Sequence, residues 1–108
     1  MTAQHADLYA TVRRVTAQLD AVNGTSREEI GLRILKLVEE AGEAASAWIG
    51  AVGQNPRKGV THTRDDVAAE LADAAFTALV AIASLGYNPQ QVVGACVDKV
   101  ADRFPADA

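Results

Sequence analysis

The sequence has a single cysteine, Cys96, which excludes an intrachain disulfide and the paired thiolates of a zinc knuckle. It has five aromatic residues, too few for a core built on stacked rings. There is no excess of positive charge. With 10 basic against 14 acidic residues the net charge is −4, which excludes the basic footprint of a protein that binds nucleic-acid polymers. No apolar run approaches the roughly 20 residues that span a bilayer, and Met1 to Asp7 lacks the basic start and apolar stretch of a signal peptide. These absences predict a soluble, cytoplasmic protein with no membrane partner. No Glu-x-x-His pair occurs, which argues against a ferritin-type di-iron site.

What is present is alanine, and hydrophobic residues make up 49% of the 108 positions. That composition favours helices packed closely through small side chains. Without repeats or shifts in composition, residues 1–108 read as a single domain with its core at about 5–104. So short a chain buries a modest share of its surface, and oligomerisation is a further way to bury more.

Leu8, Val12, Val15, Leu19 and Val22 recur at steps of four and three, predicting a first helix that Asn23-Gly24 stops. Ser26 followed by Glu29 is a capping-box pattern opening a second. Its main apolar face would carry Ile30, Ile34, Leu37, Ala41, Ala44 and Trp48, and a second strip Leu35, Val38, Gly42 and Ile49. A helix apolar over most of its circumference is central, or shared between a core and a subunit interface. Gly53 to His62 reads as a loop, with Thr63 as the next N-cap. The third helix would set Val67, Leu71, Ala74, Ala78, Ile82 and Leu85 on one face and stop at Gly86. Asn88-Pro89 opens a fourth, striped by Val93, Val97, Val100 and Phe104, and the tail after Pro105 is expected to fray. The expected fold is all-α, a four-helix bundle-like, oligomeric domain.

Glu39, Glu40 and Glu43 fill the only polar sector of the second helix, with Lys36 one turn before. Glu70 and Asp73 repeat the three-residue step on the third. Residues three or four apart share a helix face. If the two helices face each other, four carboxylates converge, which is repulsive without a cation. Mg²⁺ suits such oxygen donors, combined with water and phosphate oxygens. The competing reading is two solvated acidic faces, with Lys36 simply paired to Glu40.

The pattern Glu-Glu-x-x-Glu at 39–43 followed by Glu-x-x-Asp at 70–73 resembles the MazG-type all-α nucleoside triphosphate pyrophosphohydrolases. The flanks Leu-Lys-Leu-Val-Glu-Glu-Ala-Gly-Glu-Ala and Asp-Asp-Val-Ala-Ala-Glu-Leu-Ala-Asp-Ala agree, and Gly53 to His62 is similar to small actinobacterial MazG-like proteins. The resemblance covers about residues 25–104. It implies a cytoplasmic house-cleaning hydrolase, Mg²⁺-dependent with Mn²⁺ as a substitute, cleaving an NTP or dNTP to a monophosphate and pyrophosphate. Glu40, Glu43, Glu70 and Asp73 would hold metal; Glu39 would be a further ligand or orient the attacking water. Members form homodimers or homotetramers with sites near the subunit interface. Related branches act on dUTP, dCTP, noncanonical nucleotides and a phosphoribosyl-ATP.

Members also carry a lysine and an arginine four apart in the last helix, matched here by Lys99 and Arg103, which would bind substrate. The alternative for these two is a favourable interaction with the helix C-terminus. Cys96 stands where some relatives have asparagine, a departure that concerns base or sugar recognition; otherwise Cys96 reads as a small buried residue. Arg57 and Lys58 lie in the long loop after the acidic helix and could reach a phosphate tail, or be ordinary loop charge. Asn55 fits a turn better than a base edge, Trp48 fits core packing better than stacking, and His62 has no catalytic partner. The second functional reading is a non-catalytic nucleotide-binding or regulatory module on the same fold; the third is a purely structural helical dimer.

Overall fold

In a computed structural model, residues 4–107 form four helices: α1 (Leu8–Asn23), α2 (Arg27–Val52), α3 (Arg64–Ser84) and α4 (Pro89–Arg103). No strand occurs among the described residues. The first three residues of the Met1 to Asp7 stretch lie outside that description.

The helix starts follow from side chains that satisfy free backbone donors. The Glu29 N–H donates to Ser26 Oγ, and the Gln91 N–H to Asn88 Oδ1 ahead of Pro89 at the first position of α4. Thr63 and Asp66 form a reciprocal capping box at the start of α3. At α1 the Ala10 N–H donates to Asp7 Oδ1. Gly53 ends α2 at φ +66, a left-handed conformation that disfavours side chains with a Cβ.

Helices α2 and α3 run antiparallel along most of their length and form the main contact of the fold; α1 and α4 pack on α3. The antiparallel register follows from three points: Arg33 meets Ser84, Glu40 meets Glu70 and Asp73, and Trp48 lies beside Arg64, Val67 and Leu71. The faces that meet match the expected ones only in part, sharing Leu37 and Ala44 on α2 and Val67 and Ala74 on α3. On α2 the inward positions are Arg33, Leu37, Glu40, Ala44, Ala47 and Ala51; on α3 they are Val67, Glu70, Ala74, Thr77, Ala81 and Ser84. Ala47 is 1% exposed, whereas Trp48, expected in the core, is half exposed, as are Leu71 and Leu85. Small residues let the two backbones approach closely, so the alanine faces form the seam and the bulky side chains stay outside. Cys96, expected to be buried, is exposed because α4 meets the rest of the chain mainly near its start, where Pro89 is buried.

The seam is pinned at one end by Arg33, which is 5% exposed. Its guanidinium donates to Asp20 at 2.7 Å, Glu29 at 2.7 Å, the Gly24 carbonyl at 2.8 Å and Ser84 at 3.2 Å, joining α1, the first turn and α3 to α2. Burial pulls its pKa down, but the hydrogen bonds and charges of Asp20 and Glu29 overcome that and hold it above its ordinary value.

One expectation about membranes is corrected. Helix α3 is long and apolar enough to cross a bilayer by length and composition, with Glu70 and Asp73 the only charged residues after its first turn. Here it is the central helix, in contact with the other three in sequence or space.

A further stripe of α2, Leu35, Val38, Gly42, Ala45, Ile49 and Val52, is exposed throughout at steps of three and four. Val97, Val100 and Phe104 are likewise exposed on α4. The accessible surface of 8153 Å² exceeds the about 5,700 Å² of a compact chain of this mass. The radius of gyration of 17.2 Å exceeds the about 13 Å expected for a compact domain of this length.

Candidate metal centre

The carboxylates lie on the seam and along one of its edges. Glu40 sits between Leu37 and Ala44 on the inward face of α2, and Glu70 occupies the matching place on α3 between Val67 and Ala74. One turn further along each helix, Glu43 and Asp73 lie at the edge. Oxygens of Glu40, Glu70 and Asp73 fall within 4.8 Å of one another, as do oxygens of Glu39, Glu40 and Glu43. Glu40 belongs to both sets and joins them.

Two features set this cluster apart from a solvated acidic face. Glu70 Oε2 is buried and has no hydrogen-bond partner, and an unpaired buried acceptor costs about 1–3 kcal/mol, more when charged. The charge of Glu40, then burial, then the charge of Glu70 push the Glu43 carboxyl above its ordinary pKa. The cluster thus carries more negative charge than its surroundings offset.

The offset within the chain is Lys36. Its ammonium donates to Glu39 at 2.9 Å and lies 3.3 Å from Glu40. Glu39, Glu40 and then their charges raise the Lys36 pKa. Lys36 leaves Glu70, Asp73 and Glu43 without a cationic partner among the described residues. The carboxylates of Glu39, Glu40, Glu43, Glu70 and Asp73, in two overlapping sets of three with one orphaned oxygen, have the donor chemistry of a hard divalent cation site; Glu39, Glu43 and Asp73 are exposed and Glu40 and Glu70 half-buried.

Two hollows lie along α2, one before the carboxylates in chain order and one after them. On the N-terminal side, a groove of about 420 Å³ is lined by Val15, Leu19, Leu32, Phe76, Thr77 and Val80, with Asn23, Glu29, Arg33 and Lys36 also bordering it. Phe76 and Thr77 are one turn past Asp73, and Lys36 is one turn before Glu40, so this end of the groove lies about one helical turn from the acids, none of which lines it. On the C-terminal side, a hollow of about 210 Å³ lies between α2 and the 53–62 loop, lined by Ser46, Ile49, Gly50, Asn55, Lys58 and His62 among others.

The expected cations fall in two places. Lys58 borders the loop hollow, and Arg57 beside it is exposed, its backbone N–H donating to Asn55 Oδ1 in a turn. Lys99 and Arg103 are exposed on α4, outside both carboxylate sets and without an ion pair among the described residues. Sequence reasoning missed three participants. Arg33 was announced only by its four-residue step from Glu29, and Phe76 and Thr77 only by lying one turn beyond Asp73. No protein-family model, curated protein or solved structure matches this chain.

Proposed function

We propose that this chain is a divalent-cation-dependent nucleoside triphosphate pyrophosphohydrolase. The observation that carries the reading is the buried, unpartnered Glu70 oxygen inside a four-carboxylate cluster with a nucleoside-sized groove on one side. Such a cluster suits a divalent cation, and the anions that hold Mg²⁺ in common with few carboxylates are phosphates. The groove is apolar, with Phe76 at its acidic end, as suits a base and sugar attached to a phosphate chain.

Glu40, Glu43, Glu70 and Asp73 hold the metal, Mg²⁺ or in its place Mn²⁺. When bound, the metal neutralises charge on the phosphates and fixes their position. Lys36 lies between groove and acids and adds positive charge near the α-phosphate. Glu39, exposed at the rim, orients a water and accepts its proton, passing it to solvent. The water oxygen bonds to the α-phosphorus. The bond from that phosphorus to the α–β bridging oxygen breaks, and pyrophosphate leaves with the electron pair.

The working form is a homodimer or homotetramer. The exposed stripe from Leu35 to Val52 and the apolar face of α4 supply the contact surface, and a second copy offers a route by which Lys99 and Arg103 reach a phosphate chain. The test is pyrophosphate release with Mg²⁺ from a panel of canonical and modified nucleoside triphosphates. Turnover of one or more supports the reading. No turnover of any at high protein concentration overturns it, and binding of a nonhydrolysable analogue in that case assigns the fold to the binding module instead.

A further inference from the structure

The 53–62 loop is not a free flap. It is seated on α2 through Gly50. The Thr61 N–H donates to the Gly50 carbonyl at 2.9 Å. A Cβ on Gly50 would lie 2.3 Å from His62 Nδ1 and 2.4 Å from Thr61 Oγ1, so glycine is required for this close approach. Gly53 repeats the device three residues on: a Cβ there would meet Val60 Cγ2 at 2.9 Å. Thr61 Oγ1 and His62 Nδ1 are themselves hydrogen-bonded at 2.9 Å. The turn of the loop is closed by N–H groups of Lys58 and Gly59 donating to the Asn55 carbonyl.

This seating places one kind of chemistry in the hollow. Ser46 and Thr61 bring hydroxyls, Asn55 an amide, His62 an imidazole and Lys58 an ammonium; no carboxylate lines it. Lys58 makes no ion pair among the described residues. Ser46 is three residues beyond Glu43, and Gly50 four beyond Ser46, so the hollow begins about 4.5 Å further along α2 than the last carboxylate. An acid-free, donor-rich hollow next to a cluster of carboxylates is suited to an anion that a cation on the cluster shares.

We propose that this hollow is the subsite for the terminal phosphates, so that the substrate lies along α2 with its nucleoside between Leu32 and Phe76 and its phosphate tail at Lys58. The assignment rests on the pyrophosphohydrolase reading and deepens it: it fixes the direction of the substrate and makes the pyrophosphate leave from the loop side. Lys58 binds the terminal phosphate, Ser46 and Thr61 donate to it, and Gly50 and His62 are positioning residues that hold the loop in place.

The experiment is calorimetric titration of the full chain, in Mg²⁺, with inorganic pyrophosphate, with tripolyphosphate and with nucleoside monophosphates. Lys58→Gln is expected to weaken pyrophosphate and tripolyphosphate by about tenfold, the loss of one charge-assisted hydrogen bond. It leaves monophosphate and Mg²⁺ affinities unchanged, and Lys58→Arg restores most of the loss. Ser46→Ala with Thr61→Val is expected to act in the same direction by a few-fold. Unchanged pyrophosphate affinity in Lys58→Gln overturns the subsite, as does an equal loss for monophosphate. These measurements need no turnover. An inert protein whose pyrophosphate binding depends on Lys58 keeps the subsite and loses the enzyme; an active one without that dependence does the reverse.

Discussion

Glu40 and Glu70 meet across the α2–α3 seam with carboxylate oxygens within 4.8 Å, and Glu70 Oε2 is buried without a hydrogen-bond partner. Two like charges held this close repel, and Lys36 at 3.3 Å offsets only the Glu40 side of the pair, so a divalent cation joining the two would stabilise the seam. Mg²⁺ or Mn²⁺ is therefore expected to raise the thermal midpoint of the wild-type chain; a ligand at 100 times its Kd adds about 2.7 kcal/mol. Glu70→Gln and Asp73→Asn should lose most of that shift, and pyrophosphate release should fall by at least about 100-fold. Differential scanning calorimetry with and without metal reads the first effect, and the nucleotide panel the second. A metal-independent midpoint in the wild type would remove the cation from the account.

Glu39 differs from Glu43 and Asp73, which are also exposed, in being engaged by Lys36 at 2.9 Å. Glu39→Gln should retain the metal-induced rise in thermal midpoint while lowering kcat by about 100-fold or more, the scale of a lost general base. A mutant that loses the metal shift as well is a ligand variant, and Glu39 then joins the other four acids in holding the cation.

The helices and their caps were legible in the sequence because Ser26, Thr63 and Asn88-Pro89 act locally, within one turn. The acidic pairs were legible because a three-residue step fixes a shared face whatever the tertiary fold. The phase of α2 and α3 was not. Leu35, Val38, Ala41, Ala44 and Ala47 give α2 an apolar surface nearly all round, so periodicity does not say which stripe meets α3. Close packing chose the alanines, and left Val38 69% exposed and Trp48 49% exposed. Arg33 was hidden for a different reason: arginine is rarely buried unless paired, and its partners Asp20 and Ser84 are distant in sequence.

That buried arginine sets the acid stability. Its hydrogen bond, opposed by burial and helped by Asn23, lowers the Glu29 pKa below the ordinary 4.5. A carboxyl with a lowered folded-state pKa stabilises the fold fully above its unfolded value. That stabilisation is lost as pH falls through the folded value. The thermal midpoint should thus be flat through this group from neutral pH to about pH 5, then fall below pH 4.5. Asp66, lowered first by the backbone N–H and then the hydroxyl of Thr63, adds to the same trend. Glu29→Gln should flatten part of the acid limb. Arg33→Met, which strands Asp20 and Glu29, should cost about 3 kcal/mol at neutral pH, read by urea unfolding.

The exposed stripe on α2 makes a prediction about mass. Val38→Glu places a charge in the middle of a surface that runs from Leu35 to Val52 and touches neither Arg33 nor the carboxylate seam. In the proposed oligomer this substitution should shift sedimentation or light scattering toward the single chain without lowering its helix content. It should also reduce turnover if Lys99 and Arg103 act from a second copy. Lys99→Gln would then lower turnover in the wild-type assembly and have little further effect in the Val38→Glu background. A wild-type chain that sediments as a monomer would leave those two residues without a route to the phosphates.

Phe76 tests where the nucleoside sits, independently of the phosphates. It lies one turn past Asp73 and lines the groove with Leu19 and Leu32, and the groove's polar groups are largely committed: Glu29 accepts from Arg33 and Asn23, and Arg33 serves four partners. Recognition there is by shape and apolar contact. A hydrophobic pocket of that kind discriminates by about 10–200-fold per methylene, far less than a site that hydrogen-bonds its substrate. Phe76→Ala should therefore raise KM for several nucleoside triphosphates by a similar factor and leave tripolyphosphate binding unaltered. Lys58→Gln should do the opposite, weakening tripolyphosphate and sparing the monophosphates. Thr77, the groove's least committed polar side chain, is where selectivity among bases should respond: Thr77→Val should change the ranking of the panel, whereas Phe76→Ala should lower all of it together.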